Sequence, residues 1–146
     1  MTFELNALFQ RDLQKTIDEI RSYPSEELLW TINGEIKNAA GNLALHIASN
    51  LMHFIGTLLG DTGYVRNRDV EFSAREVSRD EIVQKLEETK RMLKEVLPTL
   101  NEAKMKDDFP GKIPFEMNTG QFLVHLYGHL TYHLGQINYH RRLLTK

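Results

Sequence analysis

Four stretches of the chain repeat apolar side chains at every third or fourth residue, which is the spacing of one face of an α-helix. They cover residues 3–22, 39–59, 78–97 and 118–144. Ser78 and Glu81 add the pattern of a capping box at the start of the third stretch. No stretch alternates polar and apolar residues convincingly, as a half-buried β-strand would. The sequence therefore predicts an all-α protein with four long helices.

Two of the connections between these helices are long. Residues 60–77 and 101–117 both exceed the usual length of a loop within a compact domain. Such connections suit a bundle with crossover topology better than one with tight up-and-down hairpins. We therefore predict a four-helix bundle with long crossover connections. At a length of 146 residues, we expect residues 1–146 to form a single domain.

Composition argues against several classes of function. The net charge of −2 disfavours a protein that binds nucleic acid through its phosphates. The absence of cysteine excludes disulfides, thiolate ligands and thiolate catalysis by the protein. No run of about 18 apolar residues occurs, so we expect no membrane span. The first twenty residues carry acidic side chains, unlike a signal peptide, and by elimination the sequence favours a cytoplasmic protein.

Histidines are concentrated on the last predicted helix. His125, His129, His133 and His140 fall within an arc of about 80° if each residue turns the helix by about 100°. Gln136 lies on the same arc and could hydrogen-bond to an imidazole. Because neutral imidazole is the commonest metal ligand, this strip predicts a metal site. The alternative is a set of boundary histidines that bond to carbonyl groups and tyrosines.

A site with three protein ligands needs a histidine from a second helix. The second helix offers His46 and His53, which are seven residues apart and lie on one face. The last helix offers two pairs with a spacing of four, His125 with His129 and His129 with His133, and geometry alone does not choose between them. No H-E-x-x-H motif occurs, nor a pair of E-x-x-H motifs, so neither a zincin nor a ferritin-like di-iron site is predicted.

Two segments together resemble a known family. NLALHIASNLMHFIG on the second helix and HLTYHLGQINYHRRLL on the last are similar to the DinB/YfiT-like superfamily of metal-dependent enzymes. The helix order and the long connections also fit, so the resemblance covers nearly the whole chain. It implies a four-helix bundle, often a homodimer, in which His46, His129 and His133 bind one divalent ion. Zinc or nickel is the implied metal, with iron or manganese as alternatives.

The resemblance also implies an activity. Characterised relatives include thiol S-transferases that act with low-molecular-weight thiols, so we expect a transferase or a hydrolase that activates a thiol or a water molecule. The substrate would be a small molecule. His53 and His125 are the candidates for acid–base groups or for residues that support the ligands. The rival hypotheses are a bundle that binds a metal or small molecule without turnover, and a metal-free interaction protein with structural histidines.

Several other residues are weaker candidates. Leu134 departs from the family pattern, because many relatives have arginine before Gly-Gln. The resemblance therefore does not carry over to this chain the role of that arginine, which could pair with an anionic substrate or orient a ligand. Asn50 lies one turn after His46 and could reach the site. Tyr132 and Tyr139 could line a pocket, although core packing is the stronger expectation. Three arginines in the connection 60–77 could bind an anionic substrate, although a solvated loop is the default: Arg66, Arg68 and Arg75.

Overall fold

The computed structural model describes residues 1–145, and these fold into helices joined by turns and loops. Apart from an isolated bridge between Asp108 and Asn118, this part of the chain contains no β-structure. The predicted all-α class is therefore confirmed. The α-helices are α1 (Thr2–Ser22), α2 (Glu26–Leu29), α3 (Ala40–Leu51), α4 (Leu58–Gly60), α5 (Arg68–Ser73), α6 (Arg79–Val96), α7 (Glu102–Lys106) and α8 (Thr119–Leu144).

The predicted long helices are present, but short helices lie between them. α2, α5 and α7 occupy segments that the sequence predicted to be connections. Helices of this length are marginal in water on their own and depend on tertiary contacts, so apolar periodicity does not reveal them. A count of four helices is too low for the described residues. The all-helical fold class is confirmed, although the number of helices is not.

The second long helix has an irregular centre. α3 passes into a π-helix, Met52–Thr57, and then into α4, so that one helical rod spans Ala40–Gly60. π-helical turns form i→i+5 hydrogen bonds and occur frequently at functional sites. Residues after Leu51 therefore depart from the regular helical wheel that placed His46 and His53 on one face. The rod ends where Asp61 adopts a left-handed conformation, with a φ of 51°.

Packing brings α3 and α8 together. α1 packs against α6 and α8, and α3 packs against the same two helices. Each of these long helices contributes fully buried apolar side chains, among them Phe9, Ile47, Leu86 and Leu123. Burial of one such side chain contributes about 1.5–3 kcal/mol. The core therefore holds the middle of α3 against the histidine strip of α8.

Side-chain caps define where the histidine-bearing helix begins. The side chain of Asn118 accepts a hydrogen bond from the backbone N–H of Gln121 at 2.8 Å, and the side chain of Gln121 accepts one from the N–H of Asn118 at 3.0 Å. This reciprocal pair is a capping box. At the start of α6, the side chain of Ser78 accepts a hydrogen bond from the N–H of Glu81, as predicted. The reciprocal hydrogen bond of a capping box, from the N–H of Ser78 to the side chain of Glu81, is absent from the described part of the chain.

One helical segment is apolar enough to cross a membrane by length and composition. Ala40–Gly60 reaches a mean hydropathy of 1.3 over its most apolar window, although the sequence had suggested that no segment would qualify. Of that window, 56% is buried inside the protein. Its packing against α6 and α8 accounts for this apolar character, as expected for the core helix of a folded domain.

Gly41 allows Trp30 to pack across the start of α3. A Cβ atom at Gly41 would lie 2.5 Å from Cη2 of Trp30, which is closer than such atoms approach. We expect Gly41→Ala to lower the free energy of unfolding by about 1–3 kcal/mol, as measured by urea denaturation. Gly128→Ala is the matched control, because nothing lies within 4 Å of its Cβ position. Equal stability of Gly41→Ala and wild type would show that the indole moves aside without cost.

Candidate metal centre

Three histidines from two helices converge in the structure. His46 lies on α3 and is 6% exposed, whereas His129 and His133 lie one turn apart on α8 and are partly buried. Nε2 of His129 is 3.1 Å from Nε2 of His46 and 3.0 Å from Nε2 of His133. One ligand atom from each residue lies within 4.8 Å of the others. Nitrogen ligands about 2.0–2.1 Å from one tetrahedral ion are about 3.3 Å apart, so these residues fit a shared divalent ion.

Hydrogen bonds on the outer side of two rings determine which nitrogen faces the centre. Nδ1–H of His46 donates to Oε1 of Glu71 at 2.9 Å, and Nδ1–H of His133 donates to Oε1 of Gln136 at 2.7 Å. A neutral imidazole carries one proton, so Nε2 of each of these rings presents a lone pair. Partners of this kind hold metal-binding histidines in the tautomer that the metal requires.

The centre lacks enough protons to satisfy its own nitrogen atoms. Nε2 of His129 carries at most one proton and can donate to His46 or to His133, but not to both. At least one of the two short nitrogen–nitrogen contacts therefore brings lone pairs together. A cation between the three rings would satisfy all of them. This deficit favours a metal site over a network of hydrogen-bonded boundary histidines.

Burial keeps the imidazoles of His129 and His133 neutral. Burial lowers the pKa of His129 to about 3, and the neighbouring His133 and His46 act in the same direction. Burial also lowers the pKa of His133, although its bond to Gln136 opposes the effect. Neutral imidazole is the form that binds a metal. These two candidate ligands are therefore available at neutral pH without the loss of a proton.

A buried carboxylate that the sequence did not reveal lies behind His46. Glu71 on α5 is 3% exposed and accepts hydrogen bonds from Nε and Nη2 of Arg66, each at 2.9 Å. Burial raises the pKa of Glu71, but the bonds from Arg66 and His46 outweigh it, and the pKa is lowered overall. Glu71 is therefore ionised beside His46. Carboxylates commonly accept this hydrogen bond from metal-binding histidines.

The three arginines of the connection 60–77 all make contacts within the protein. Arg66, one of the weaker candidates for binding an anionic substrate, pairs with Glu71. Nη1 of Arg75 donates to Oδ1 of Asn42 at 2.9 Å. The guanidinium of Arg68 lies over the ring of Phe72, 5.7 Å from its centroid. The loop thus supplies partners for α3 and α5.

The structure distinguishes the two histidine pairs that spacing left open. His133 joins His129 and His46 in the cluster. His125 is exposed, and its ring stacks on Phe122 with centroids 5.6 Å apart. Its charge contributes to the lowered pKa of His129, so it lies within electrostatic range of the cluster. Among residues 1–145 it makes no hydrogen bond to the three converging histidines.

Two further candidates on the α3 side lie outside the cluster. His53 lies in the π-helix and is partly buried, and burial together with the charge of Arg66 lowers its pKa. Asn50 is buried, and its Oδ1 atom has no hydrogen-bond partner among the described residues. A buried acceptor without a partner marks a place where a water molecule or a ligand atom would bind.

His140, the last member of the strip, has a structural role. Its Nε2–H donates to the carbonyl oxygen of Thr31 at 2.8 Å, and the hydroxyl of Tyr23 donates to its Nδ1 at 2.6 Å. Both ring nitrogens thereby have a hydrogen-bond partner. His140 ties α8 to the end of α1 and to the segment after α2, which is the alternative role that the sequence left open for the strip.

A cavity of about 390 Å³ borders the cluster at His133. Its size is within the range of small-molecule pockets. Tyr139 lines this cavity; it is 66% exposed and Tyr132 is 65% exposed, so the expectation that both pack in the core is wrong. The remaining lining residues come from α8, from the start of α3 and from the segment before it: Glu35, Ile36, Lys37, Asn38, Leu43, Gln136, His140 and Leu143.

Fold and site together define an all-helical protein with three histidines on two packed helices, positioned so that they could hold a metal ion. The family follows from a comparison with known proteins. The profile of the DinB superfamily matches residues 8–137, which is most of the chain, and the chain belongs to this superfamily. The family resemblance seen in the two histidine segments is thereby confirmed. Among curated proteins, none matches the chain significantly.

Proposed function

We propose that this protein is a metal-dependent enzyme, a transferase or a hydrolase, in which His46, His129 and His133 hold one divalent ion. The observation that carries the proposal is the convergence of three imidazole nitrogens that cannot satisfy one another. Zinc or nickel suits nitrogen ligands, with iron or manganese as alternatives. Membership of the DinB superfamily supports this assignment, and with it a four-helix framework with crossover connections.

The surroundings of the cluster suit chemistry on a small molecule. Three protein ligands leave a coordination position open. A bound ion would lower the pKa of a thiol or a water molecule that reaches this position. The cavity beside His133 provides space for a substrate, and Lys37 and Gln136 add polar groups to its lining. A low-molecular-weight thiol is our first candidate for one substrate.

His53 and His125 are the candidates for moving a proton during the reaction. Burial lowers the pKa of His53, so its imidazole is neutral at pH 7 and able to accept a proton. His125 lies one turn before His129 and is exposed to solvent, where it can exchange protons with water. His125 lies within electrostatic range of His129, and His53 lies within electrostatic range of Arg66 and Glu71.

We also propose that the protein is a cytoplasmic homodimer. α8 exposes Tyr132, Tyr139 and Leu143, which are large side chains on one side of a long helix. Aromatic residues are enriched in protein interfaces. Sedimentation of the purified protein would distinguish a dimer from a monomer.

Metal content is the test of the proposed function. We expect about one equivalent of a divalent metal per chain in untagged protein purified without a metal column or chelator, because the site has one set of three ligands. Elemental analysis measures this content. Absence of bound metal, together with no thermal shift on addition of zinc, nickel, iron or manganese, would overturn the metal site.

Turnover separates an enzyme from a binding protein. The metal-loaded protein would be assayed with small thiols and electrophiles, and with ester and amide substrates in water. Thiol transfer or hydrolysis that depends on the metal supports the proposal. Bound metal without turnover, in a coordination sphere that X-ray absorption shows to be saturated, would instead identify a module for metal binding or storage.

A further inference from the structure

α5 is held against the protein by a buried carboxylate, together with the ring of Phe72, which packs on His46 with ring centroids 5.0 Å apart. Glu71 is the one buried residue of this helix, whereas Val70 is 51% exposed. Burying a carboxylate is costly unless charged or polar donors surround it. The position of α5 therefore depends on the hydrogen bonds that Glu71 receives.

Polar contacts with α3 and Arg66 supply these bonds. Nδ1–H of His46 donates to Glu71 at 2.9 Å, and Arg66 donates to both of its carboxylate oxygens. The side-chain amide of Asn42 also donates to the carbonyl oxygens of Glu71 and Ala74, each at 2.9 Å. The α5 segment, defined here as residues 64–75, is thus attached to α3 on the side that carries His46.

The other side of the α5 segment borders a cavity. A cavity of about 380 Å³ lies between this segment, α3 and α6, with Ala48, Val70 and Lys85 in its lining. Glu71 also borders this cavity. On this side the hydroxyl of Tyr64 donates to that of Ser49 at 3.2 Å, so the polar bonds of the segment to α3 decide how firmly it is docked.

We propose that metal binding at the histidine cluster and docking of the α5 segment stabilise each other through the hydrogen bond between His46 and Glu71. This inference rests on the proposed metal site. A cation bound by His46 would withdraw electron density from the ring and make its Nδ1–H a stronger donor to Glu71. Docked Glu71 in turn orients the ring and increases its basicity as a ligand. Because the coupling is reciprocal, each event favours the other by the same factor.

Hydrogen exchange with and without zinc tests the coupling in the wild-type protein. We expect saturating zinc to slow amide exchange in residues 64–75 at least tenfold more than in α1, which supplies none of the three histidines. Exchange that changes equally throughout the chain, or only around His129 and His133, would overturn the proposal. If zinc does not bind at all, the metal site itself fails, which is a separate result.

A matched pair of variants isolates the bond. Glu71→Gln keeps the shape of the side chain but removes its charge, and we expect it to weaken zinc binding by about 10–100-fold and to abolish the zinc-dependent protection. Glu19→Gln is the control, since it breaks a comparable pair with Arg141, between α1 and α8. Equal zinc affinities in wild type, Glu71→Gln and Glu19→Gln, with zinc still lost in His129→Ala, would contradict the coupling while leaving the metal site intact.

Discussion

Replacing His129 with alanine is expected to weaken zinc binding by at least a hundredfold. Nε2 of His129 is the atom that lies within 3.1 Å of both other candidate ligands, so its loss removes the centre of the site. The free energy of zinc binding at structural sites with four ligands is about 10–16 kcal/mol, which is roughly 3 kcal/mol for each ligand. Since about 1.4 kcal/mol corresponds to a tenfold change in affinity, a competition titration with a chromophoric chelator will resolve this loss.

His125→Ala is the matched control for this variant. It removes the same type of side chain from the same helix one turn away, but from an exposed position outside the cluster. We expect it to keep the zinc affinity of the wild type, whereas His133→Ala loses it. The opposite outcome, with affinity lost in His125→Ala and kept in His133→Ala, would show that the other histidine pair is the site. Circular dichroism checks that each variant remains helical.

The long helices were predictable because their signals are local. Apolar residues with helical spacing mark the buried face of each long helix, and a capping residue such as Ser78 marks where one begins. The short helix α5 has no such stripe, because its buried residue is the carboxylate of Glu71. An acidic residue in a polar segment looks like a solvated one. Its burial depends on His46 and Arg66, which only the folded chain brings to it.

Helical spacing alone did not identify the candidate ligands, which the family resemblance named as His46, His129 and His133. A helical wheel records the direction of each side chain but not its position along the axis. His140 shares the arc of His129 and His133, yet it lies about 10 Å further along the helix at roughly 1.5 Å per residue. There it meets Tyr23 rather than α3. The position of His46 along α3 determines that it meets His129 and His133 on α8. The spacing of histidines within α8 carries no information about that position.

The metal-free protein is expected to lose stability as the pH falls from 6.5 to 5, in part because of His129. Its pKa is about 3 in the folded protein, below the ordinary value of about 6.5 in an unfolded chain. Between these two values the unfolded state binds a proton that the folded state does not, so the free energy of unfolding decreases as the pH decreases. One such group lowers the free energy of unfolding by about 1.5–2 kcal/mol as the pH falls from 6.5 to 5, because each pKa unit corresponds to about 1.4 kcal/mol.

The range from pH 6.5 to 5 separates this effect from the titration of carboxylates. Burial opposes ionisation of Asp12 and Glu71, but hydrogen bonds from Arg11, Arg66 and other donors outweigh it, so both pKa values are lowered. These groups destabilise the fold only at lower pH, as they gain protons.

Urea denaturation of chelator-treated wild type and His129→Gln at pH 6.5 and 5 measures the contribution of His129 to the pH dependence of stability. We expect a flatter dependence in the variant, because the imidazole that resists protonation is gone. Parallel pH dependences would mean that His129 is protonated in the folded protein at pH 5, and that the cluster is more open to water than the burial of its rings indicates.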